Sequence, residues 1–146
     1  MKIGEVMNRK PAVIAVQSTF ADAARRVAET QVSDLMVIDA QGALVGVLSE
    51  GDLIRATLPN YDELMRDGTS LGGAWKVFLE KGKEVARREI GQIVIKTPIT
   101  FQPTDELIKA ASAMVNKQIR VLPVVDGGKL VGTISRGDLC NAVIGA

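Results

Sequence analysis

A short stretch, residues 46–53, recurs almost unchanged as residues 132–139, and this internal repeat constrains the fold more than any other feature of the chain. The shared positions pair Gly46 with Gly132, Ser49 with Ser135, Gly51 with Gly137 and Asp52 with Asp138. The match continues upstream, where Pro11 corresponds to Pro98 and Asp39 to Asp126. The repeat is longer than the periods of solenoid proteins, so the chain is a duplicated domain half rather than an array. We therefore expect the function to lie where the two copies meet.

Each copy predicts the element order strand, helix, strand, strand, helix. The spacing of Phe20, Ala23 and Val27 is typical of one face of a helix, and Ser18 is the candidate N-cap. The continuous apolar run 35–38 predicts a strand that is buried on both faces. The predicted elements are strand 12–16, helix 19–31, strand 35–38, strand 43–48 and helix 49–56 in the first copy, and strand 99–102, helix 105–117, strand 122–125, strand 129–134 and helix 135–143 in the second.

One copy alone is too small to bury its apolar strands. Two copies packed sheet to sheet about a pseudo-twofold axis would bury them, which gives a mixed fold of the α/β (α+β) class. The ends of equivalent strands and helices would then line two equivalent clefts. The expected division is repeat 1 over residues 1–56, an insert over 57–90 and repeat 2 over 91–146, which together form one domain.

The insert has no counterpart elsewhere in the chain. Residues 58–61 contain a proline and end the preceding helix, and residues 67–73 are rich in glycine and predict a loop. Residues 74–89 predict a helix with Trp75, Phe78, Leu79 and Ala86 on one stripe. Aromatic residues are common both in cores and at interfaces, so this stripe covers either the domain's own core or a second subunit or partner.

Composition excludes several classes of function. The net charge is +1 with both signs interleaved, which argues against a nucleic-acid interface or a membrane-binding basic patch, and no apolar run is long enough to cross a bilayer. The chain contains no histidine and one cysteine, Cys140. Structural zinc sites and Ser/His or Cys/His nucleophile systems cannot be assembled from it, so we expect no enzyme. The single cysteine excludes an internal disulfide and, with no secretory signal in the first residues, indicates a cytoplasmic protein.

The repeated Ser-x-x-Asp motif supports two interpretations. It is a helix capping box, in which Ser49 and Ser135 cap a helix and nothing binds. The flanking glycines, the unpaired N–H groups of a helix start and an acceptor-only Asp also suit a nucleoside phosphate. Apolar strands nearby, within 32–37 and 119–124, could hold a purine between them. The second interpretation describes a ligand site without catalytic groups.

The chain resembles a tandem pair of cystathionine-β-synthase (CBS) domains, also called a Bateman module, of the stand-alone bacterial or archaeal type. The residues that carry the resemblance are the segment 119–126 with its sister 32–39, the two Gly-x-x-Ser-x-x-Asp motifs, and the starts 4–7 and 91–94. It covers nearly all of the chain except the insert, and both halves match in register.

The resemblance implies a set of ligand-binding residues. Asp52 and Asp138 would hold a ribose, Ser49 and Ser135 would contact ribose or phosphate, and Arg120 would bind phosphate. The sister of Arg120 is the uncharged Ser33, and the family's wall proline is present as Pro123 but replaced by Met36 in the first copy. The full implied set is Lys10, Pro11, Ala12, Met36, Ser49, Asp52, Thr97, Pro98, Ile99, Arg120, Pro123, Ser135, Arg136 and Asp138.

The resemblance implies a regulatory protein that senses a ligand. Members bind AMP, ADP, ATP or S-adenosylmethionine, require no cofactor, form dimers and act on a separate regulated protein. The leading hypothesis is therefore a homodimeric ligand sensor with an adenine nucleotide or adenosyl compound in the cleft between repeats. The alternative is a structural or interaction module in which the motifs are capping boxes and the Trp75 helix is the working surface.

Overall fold

The computed structural model describes residues 1–96 and 98–145, and it contains the two mixed α/β repeats that the sequence predicts. Repeat 1 comprises β1 (Val13–Ala15), α1 (Phe20–Thr30), β2 (Asp34–Ile38), β3 (Leu44–Ser49) and α2 (Glu50–Thr57). The insert forms α3 (Tyr61–Arg66) and α4 (Leu71–Val85). Repeat 2 comprises α5 (Leu107–Asn116), β4 (Val121–Asp126), β5 (Lys129–Ser135) and α6 (Arg136–Val143).

The two repeats differ in their first strand. In repeat 1, β1 runs parallel to β2, and β2 is antiparallel to β3. In repeat 2, β4 and β5 form an antiparallel pair, and among the residues that the structure describes a parallel bridge joins Phe101 to Val124. The predicted strand 99–102 is therefore wrong in extent. Pro98 and Pro103 bracket this segment, and proline lacks the N–H that a longer ladder would need.

The core has two parts, and each repeat completes the core of the other. We call residues 1–8 and 88–95 the lead-in segments, because each lies at the start of one repeat, before Pro11 or Pro98. Ile3 and Met7 of the first lead-in segment lie in the core of repeat 2, whereas Ile90 and Val94 of the second lie in the core of repeat 1. Backbone hydrogen bonds hold both, including reciprocal pairs between Asn8 and Thr133 (2.8 and 3.0 Å) and between Val47 and Ile95 (3.1 and 3.0 Å). The halves therefore depend on each other for burial.

Glycines of the repeated motif allow this exchange. A Cβ atom on Gly46 would lie 2.1 Å from the carbonyl oxygen of Ile95, and one on Gly132 would lie 2.7 Å from that of Asn8. Both are closer than a side chain can approach backbone. The close approach that we expected of a ligand at these two glycines is thus made by the lead-in segment of the other repeat.

The burial of β2 agrees with the prediction, and the N-cap of α1 differs from it. Leu35, Met36 and Val37 of β2 are all fully buried, as expected of a strand covered on both faces. The predicted N-cap Ser18 is wrong, since Thr19 caps α1 by accepting a hydrogen bond from the Asp22 amide. Thr19 directly precedes the helix, so its side-chain oxygen can reach the amide of Asp22, the third residue of the helix. The Asp22 carboxylate in turn accepts a hydrogen bond from the Thr19 amide, which completes a capping box.

The insert contains one helix more than the sequence indicates. Asn60 caps the unpredicted α3 by accepting from the Glu63 amide. Ser70 caps α4 by accepting from the Gly73 amide, so this helix begins before the predicted residue 74 and ends at Val85. Good caps outweigh the low helix propensity of the two glycines in its first turn.

Helix α4 has one buried side and one exposed side. Ala74 and Val85 are buried, and Val85 belongs to the core of repeat 1. Trp75 is 59% exposed and touches Phe78 edge to face, with ring centroids 5.6 Å apart. The helix therefore covers the domain core with one side and leaves an apolar strip outside.

Candidate ligand-binding site

A cleft of about 280 Å³ lies between the two repeats. Most of its wall comes from repeat 2, and the remainder from the middle of repeat 1. The lining residues are Asp34, Val47, Ile95, Pro98, Ile99, Gln118, Ile119, Arg120, Val121, Leu122 and Pro123. The cleft is therefore mainly apolar, with two charged side chains of opposite sign.

The segment that follows α5 forms the longest wall of the cleft. Gln118 adopts a left-handed conformation (φ 54°), as does its counterpart Gln31 (φ 55°) at the end of α1. This turn reverses the chain and leads it into β4, whose pairing with β5 then fixes the wall. The Pro123 carbonyl accepts a 3.2 Å hydrogen bond from the Phe101 amide, which attaches the segment after Ile99 to the same wall.

An ion pair joins the two repeats at this cleft. Nε of Arg120 lies 3.3 Å from Oδ2 of Asp34, and Nη2 lies 3.3 Å from Oδ1. Ser33 donates a 2.6 Å hydrogen bond from Oγ to Oδ2 of the same carboxylate. Arg136 donates from Nε to the Ile119 carbonyl (3.0 Å), so its guanidinium supports the wall and does not line the cleft.

The repeated Ser and Asp residues form capping boxes in the structure. Ser49 Oγ accepts from the Asp52 amide (3.1 Å), and Asp52 Oδ2 accepts from the Ser49 amide (2.9 Å). Ser135 and Asp138 make the same two bonds at 3.0 and 2.8 Å. Asp52 also pairs with Arg55 at 2.6 Å, a contact for which α6 has Asn141 at the corresponding position. The two aspartates thus differ, because Arg55 also binds Oδ1 of Asp52, whereas α6 has no arginine at the corresponding position to bind Oδ1 of Asp138.

The cleft brings together four of the expected site residues, namely Pro98, Ile99, Arg120 and Pro123. Thr97 lies outside the described residues. Ser49 pairs with Asp34 across β2 and β3, so the first capping box borders the cleft without lining it. The others do not line it either: Lys10, Pro11, Ala12 and Met36 belong to the equivalent region of repeat 1, and Asp138 borders a separate depression beside Met1 and Glu5.

Seven lining residues are not among the expected site residues, namely Asp34, Val47, Ile95, Gln118, Ile119, Val121 and Leu122. Ile119, Val121 and Leu122 lie in the run 119–124, and Asp34 lies in the run 32–37, which were expected to hold a purine between them. Asp34 carried a usable signal, because it is a charge at the position where the second copy has Val121. Val47 and Ile95 become neighbours only through the exchange of lead-in segments, which no local pattern reveals.

The comparison with known families matches both halves. A sequence model described as "CBS domain" matches residues 3–58 and again 90–145. The chain belongs to the CBS domain family. As a tandem CBS pair, it shares its arrangement with relatives from archaea and plants.

Two relatives and two solved structures illustrate the similarity. The protein MJ1426 of Methanocaldococcus jannaschii is 30% identical over 99% of this chain and 92% of its own length. CBSX2, a chloroplast CBS-domain protein of Arabidopsis thaliana, is 30% identical over 90% of this chain, which spans 58% of that protein. The structure of CBSX2 in complex with AMP has a TM-score of 0.76 at 26% identity, covering 99% of this chain and 96% of that one. The CBS pair of MJ0100, solved with 5′-methylthioadenosine and S-adenosyl-L-methionine, has a TM-score of 0.70 at 17% identity, covering 99% and 97%, and shares the fold.

Membrane-spanning helices and metal sites can be assessed over residues 1–96 and 98–145. In these ranges no helix has the length and apolarity to cross a membrane. The same residues contain no group of three or more Cys, Asp or Glu side chains placed to hold a metal ion.

The capping box of Asp52 predicts a pH dependence of stability. Burial raises the pKa of Asp52, but the hydrogen bonds from Ser49 and the Arg55 guanidinium together outweigh it and hold the pKa below its ordinary value of 3.8. The carboxylate therefore stabilises the fold above that value, and this contribution is lost as the pH falls through the lowered pKa. In urea unfolding at neutral pH we expect Asp52→Asn to cost about 1 kcal/mol.

Between about pH 5 and pH 2 the wild type should lose more stability than Asp52→Asn, so the two curves converge in acid. Asp126→Asn, at the exposed end of β4, removes a carboxylate outside any capping box and serves as the control. Parallel curves for Asp52→Asn would show that its carboxylate contributes nothing to acid sensitivity.

Proposed function

We propose that this CBS pair is a regulatory module that binds an adenine nucleotide or adenosyl compound in the cleft between its repeats. The observation that carries the proposal is the cleft itself, an apolar space lined by both halves with one cation and one anion at its wall. The AMP complex of CBSX2, at 26% identity over nearly the whole chain, supports an adenosine-type ligand.

The lining residues suggest how such a ligand would be held. Ile99, Val121 and Pro123 offer apolar surface against which a purine can pack on one side, and Val47 offers it from repeat 1. Arg120 is the cation among the described lining residues and is the candidate contact for a 5′ substituent. The first capping box, with Ser49 and Asp52, borders the cleft and is the candidate contact for ribose hydroxyls.

Signalling would follow from the position of the cleft. A ligand that contacts both repeats changes their relative packing if it binds one arrangement more tightly than another. In this proposal the module comprises repeats 1–56 and 91–146 with the insert 57–90, acts as a cytoplasmic homodimer without catalysis of its own, and passes the ligand state to a separate regulated protein.

Calorimetric titration with AMP, ADP, ATP and S-adenosylmethionine tests the proposal. We expect saturable binding of at least one ligand, weakened about tenfold by Ile99→Ala, because that variant removes apolar contact worth roughly 1–2 kcal/mol. Ile108→Ala is the matched control, since Ile108 is 75% exposed on α5 and lies outside the cleft. Absence of binding by all four ligands, or equal affinities for the two variants, would contradict the proposal.

A second function is supported by the apolar strip on α4. Leu71, Trp75 and Leu79 are exposed along one side of the helix. Ile54 of α2 and Leu58, which directly follows α2, are also exposed. Exposed apolar residues of this size in a row are typical of contact surfaces. In this alternative the protein is an interaction module, and the Ser-x-x-Asp motifs act as capping boxes alone.

The alternative predicts that the double variant Leu71→Ser with Trp75→Ser changes the oligomeric state. Sedimentation analysis should then show a smaller species than for the wild type, because the strip no longer buries apolar surface. The double variant Lys76→Ser with Glu80→Ser, on exposed polar positions of the same helix, is the control. An unchanged sedimentation coefficient would argue against the strip as an interface.

A further inference from the structure

The charge balance of the cleft depends on one residue of repeat 1. Asp34 occupies the position at which repeat 2 has Val121, so the carboxylate is a departure from the internal repeat. The pairing confirms the equivalence, because Asp34 lies opposite Ser49 and Val121 lies opposite Ser135. Among the described lining residues, Asp34 and Arg120 are the two charged ones. The cleft wall is therefore neutral overall, although it contains the arginine that a phosphate would need.

Asp34 is the fixed member of this pair. Its side chain is 10% exposed, whereas that of Arg120 is 53% exposed. The strand register and the hydrogen bond from Ser33 hold the carboxylate in place, and both of its oxygens face the guanidinium. The geometry is that of a two-point contact between a planar guanidinium and a carboxylate. A ligand can displace the arginine, but it cannot displace the aspartate without unpairing the strand that holds it.

This arrangement places a penalty on phosphate. A phosphate that recruits Arg120 leaves the Asp34 carboxylate largely buried and without its cation, and a buried unpaired charge is strongly unfavourable. A phosphate that leaves the pair intact approaches a neutral wall with the carboxylate within it. Because the pair is neutral, the Asp34 carboxylate offsets the attraction between Arg120 and each added phosphate charge. A neutral nucleoside, or an adenosyl compound with a cationic 5′ group, meets no such penalty and can gain from the carboxylate.

We propose that Asp34 makes the cleft select adenosine-type ligands with a neutral or cationic 5′ substituent over adenosine phosphates. This proposal rests on the proposed function and names the ligand class of the same cleft. The order of affinity is adenosine and S-adenosylmethionine first, AMP next and ATP last.

Titration of the wild type and Asp34→Asn with adenosine, S-adenosylmethionine, AMP and ATP tests this selection. We expect the wild type to bind adenosine about tenfold or more tightly than ATP, and the variant to reduce that ratio by about tenfold, because its amide still accepts from Arg120 but carries no charge. Adenosine affinity should stay within about twofold, which also shows that the variant is folded. S-adenosylmethionine should bind the variant more weakly, since the attractive carboxylate is gone.

Two further variants control for effects of the Asp34→Asn substitution other than the loss of the carboxylate in the cleft. Asp34→Ser removes the carboxylate with a smaller side chain and should give the same change in ratio. Asp126→Asn removes an exposed carboxylate outside the cleft and should leave every ratio unchanged. The selection is contradicted if the wild type binds ATP as tightly as adenosine, or if both Asp34 variants keep the wild-type ratio. Failure of all ligands to bind any of the proteins would instead refute the proposed function, and the selection with it.

Discussion

Gly46→Ala should lower the free energy of unfolding by about 3 kcal/mol or more, measured by urea denaturation. The added Cβ would lie 2.1 Å from the carbonyl oxygen of Ile95 and 2.5 Å from Cγ1 of Val94. The lead-in segment cannot move away freely, because two backbone hydrogen bonds join Ile95 to Val47 and because Val94 lies in the core of repeat 1. Relief of this overlap therefore requires the lead-in segment 88–95 to move away from the core of repeat 1.

Glycines elsewhere in the chain provide graded comparisons for this prediction. Gly132→Ala meets the Asn8 carbonyl at 2.7 Å and the flexible Met7 side chain at 3.0 Å, so it should be destabilising but less severely. Gly72→Ala lies in α4 with nothing within 4 Å and should raise stability by up to about 1 kcal/mol through helix propensity. A loss below 1 kcal/mol for Gly46→Ala would show that the contact with Ile95 is looser than the structure has it.

Ile90→Ala should lower the free energy of unfolding by about 2–5 kcal/mol, the usual cost of truncating a fully buried isoleucine. Although Ile90 precedes repeat 2, it packs in the core of repeat 1. Ile3→Ala is the symmetric experiment, because Ile3 lies in the lead-in segment of repeat 1 and packs in the core of repeat 2. Both losses should appear in one unfolding transition, since neither core is complete without the other half.

Ile108→Ala is the control for size and chemistry, and its effect should lie within about 0.5 kcal/mol because the side chain is exposed. Two separate transitions, with Ile90→Ala affecting the second repeat, would contradict the exchange of lead-in segments. A loss near zero for both core variants would contradict the burial of these segments.

The repeat and its elements could be predicted from sequence because both copies carry the same local signals. The alternation of apolar runs, turns and capping motifs predicted the elements from β2 through α2, and those from α5 through α6, to within a few residues. The two-repeat α/β fold is confirmed. The extent of the predicted strand 99–102 could not be read from the sequence. In the structure this segment, which lies between Pro98 and Pro103, contacts β4 through the bridge between Phe101 and Val124. The α3 helix was missed because its signal is one cap, Asn60, directly after a proline.

The site was less predictable than the fold, for a physical reason. Pro98, Ile99, Arg120 and Pro123 of its wall in repeat 2 were expected from the resemblance to the CBS family, because both copies carry the family's motifs in register. The rest of the wall depends on which residues of repeat 1 face it, and long-range packing decides that. Asp34 shows the limit most clearly, since its role depends on an ion pair with a residue of the other repeat. Departures from internal symmetry are the signal that could have revealed it.

The most direct test of the inter-repeat site is a crystal structure of the protein grown with the tightest ligand from the titrations. The account predicts ligand density in the cleft, with the purine against Ile99 and Pro123 and the 5′ substituent near Arg120 and Asp34. Density at the helix faces or in the depression beside Asp138, with the inter-repeat cleft empty at saturating ligand, would contradict it.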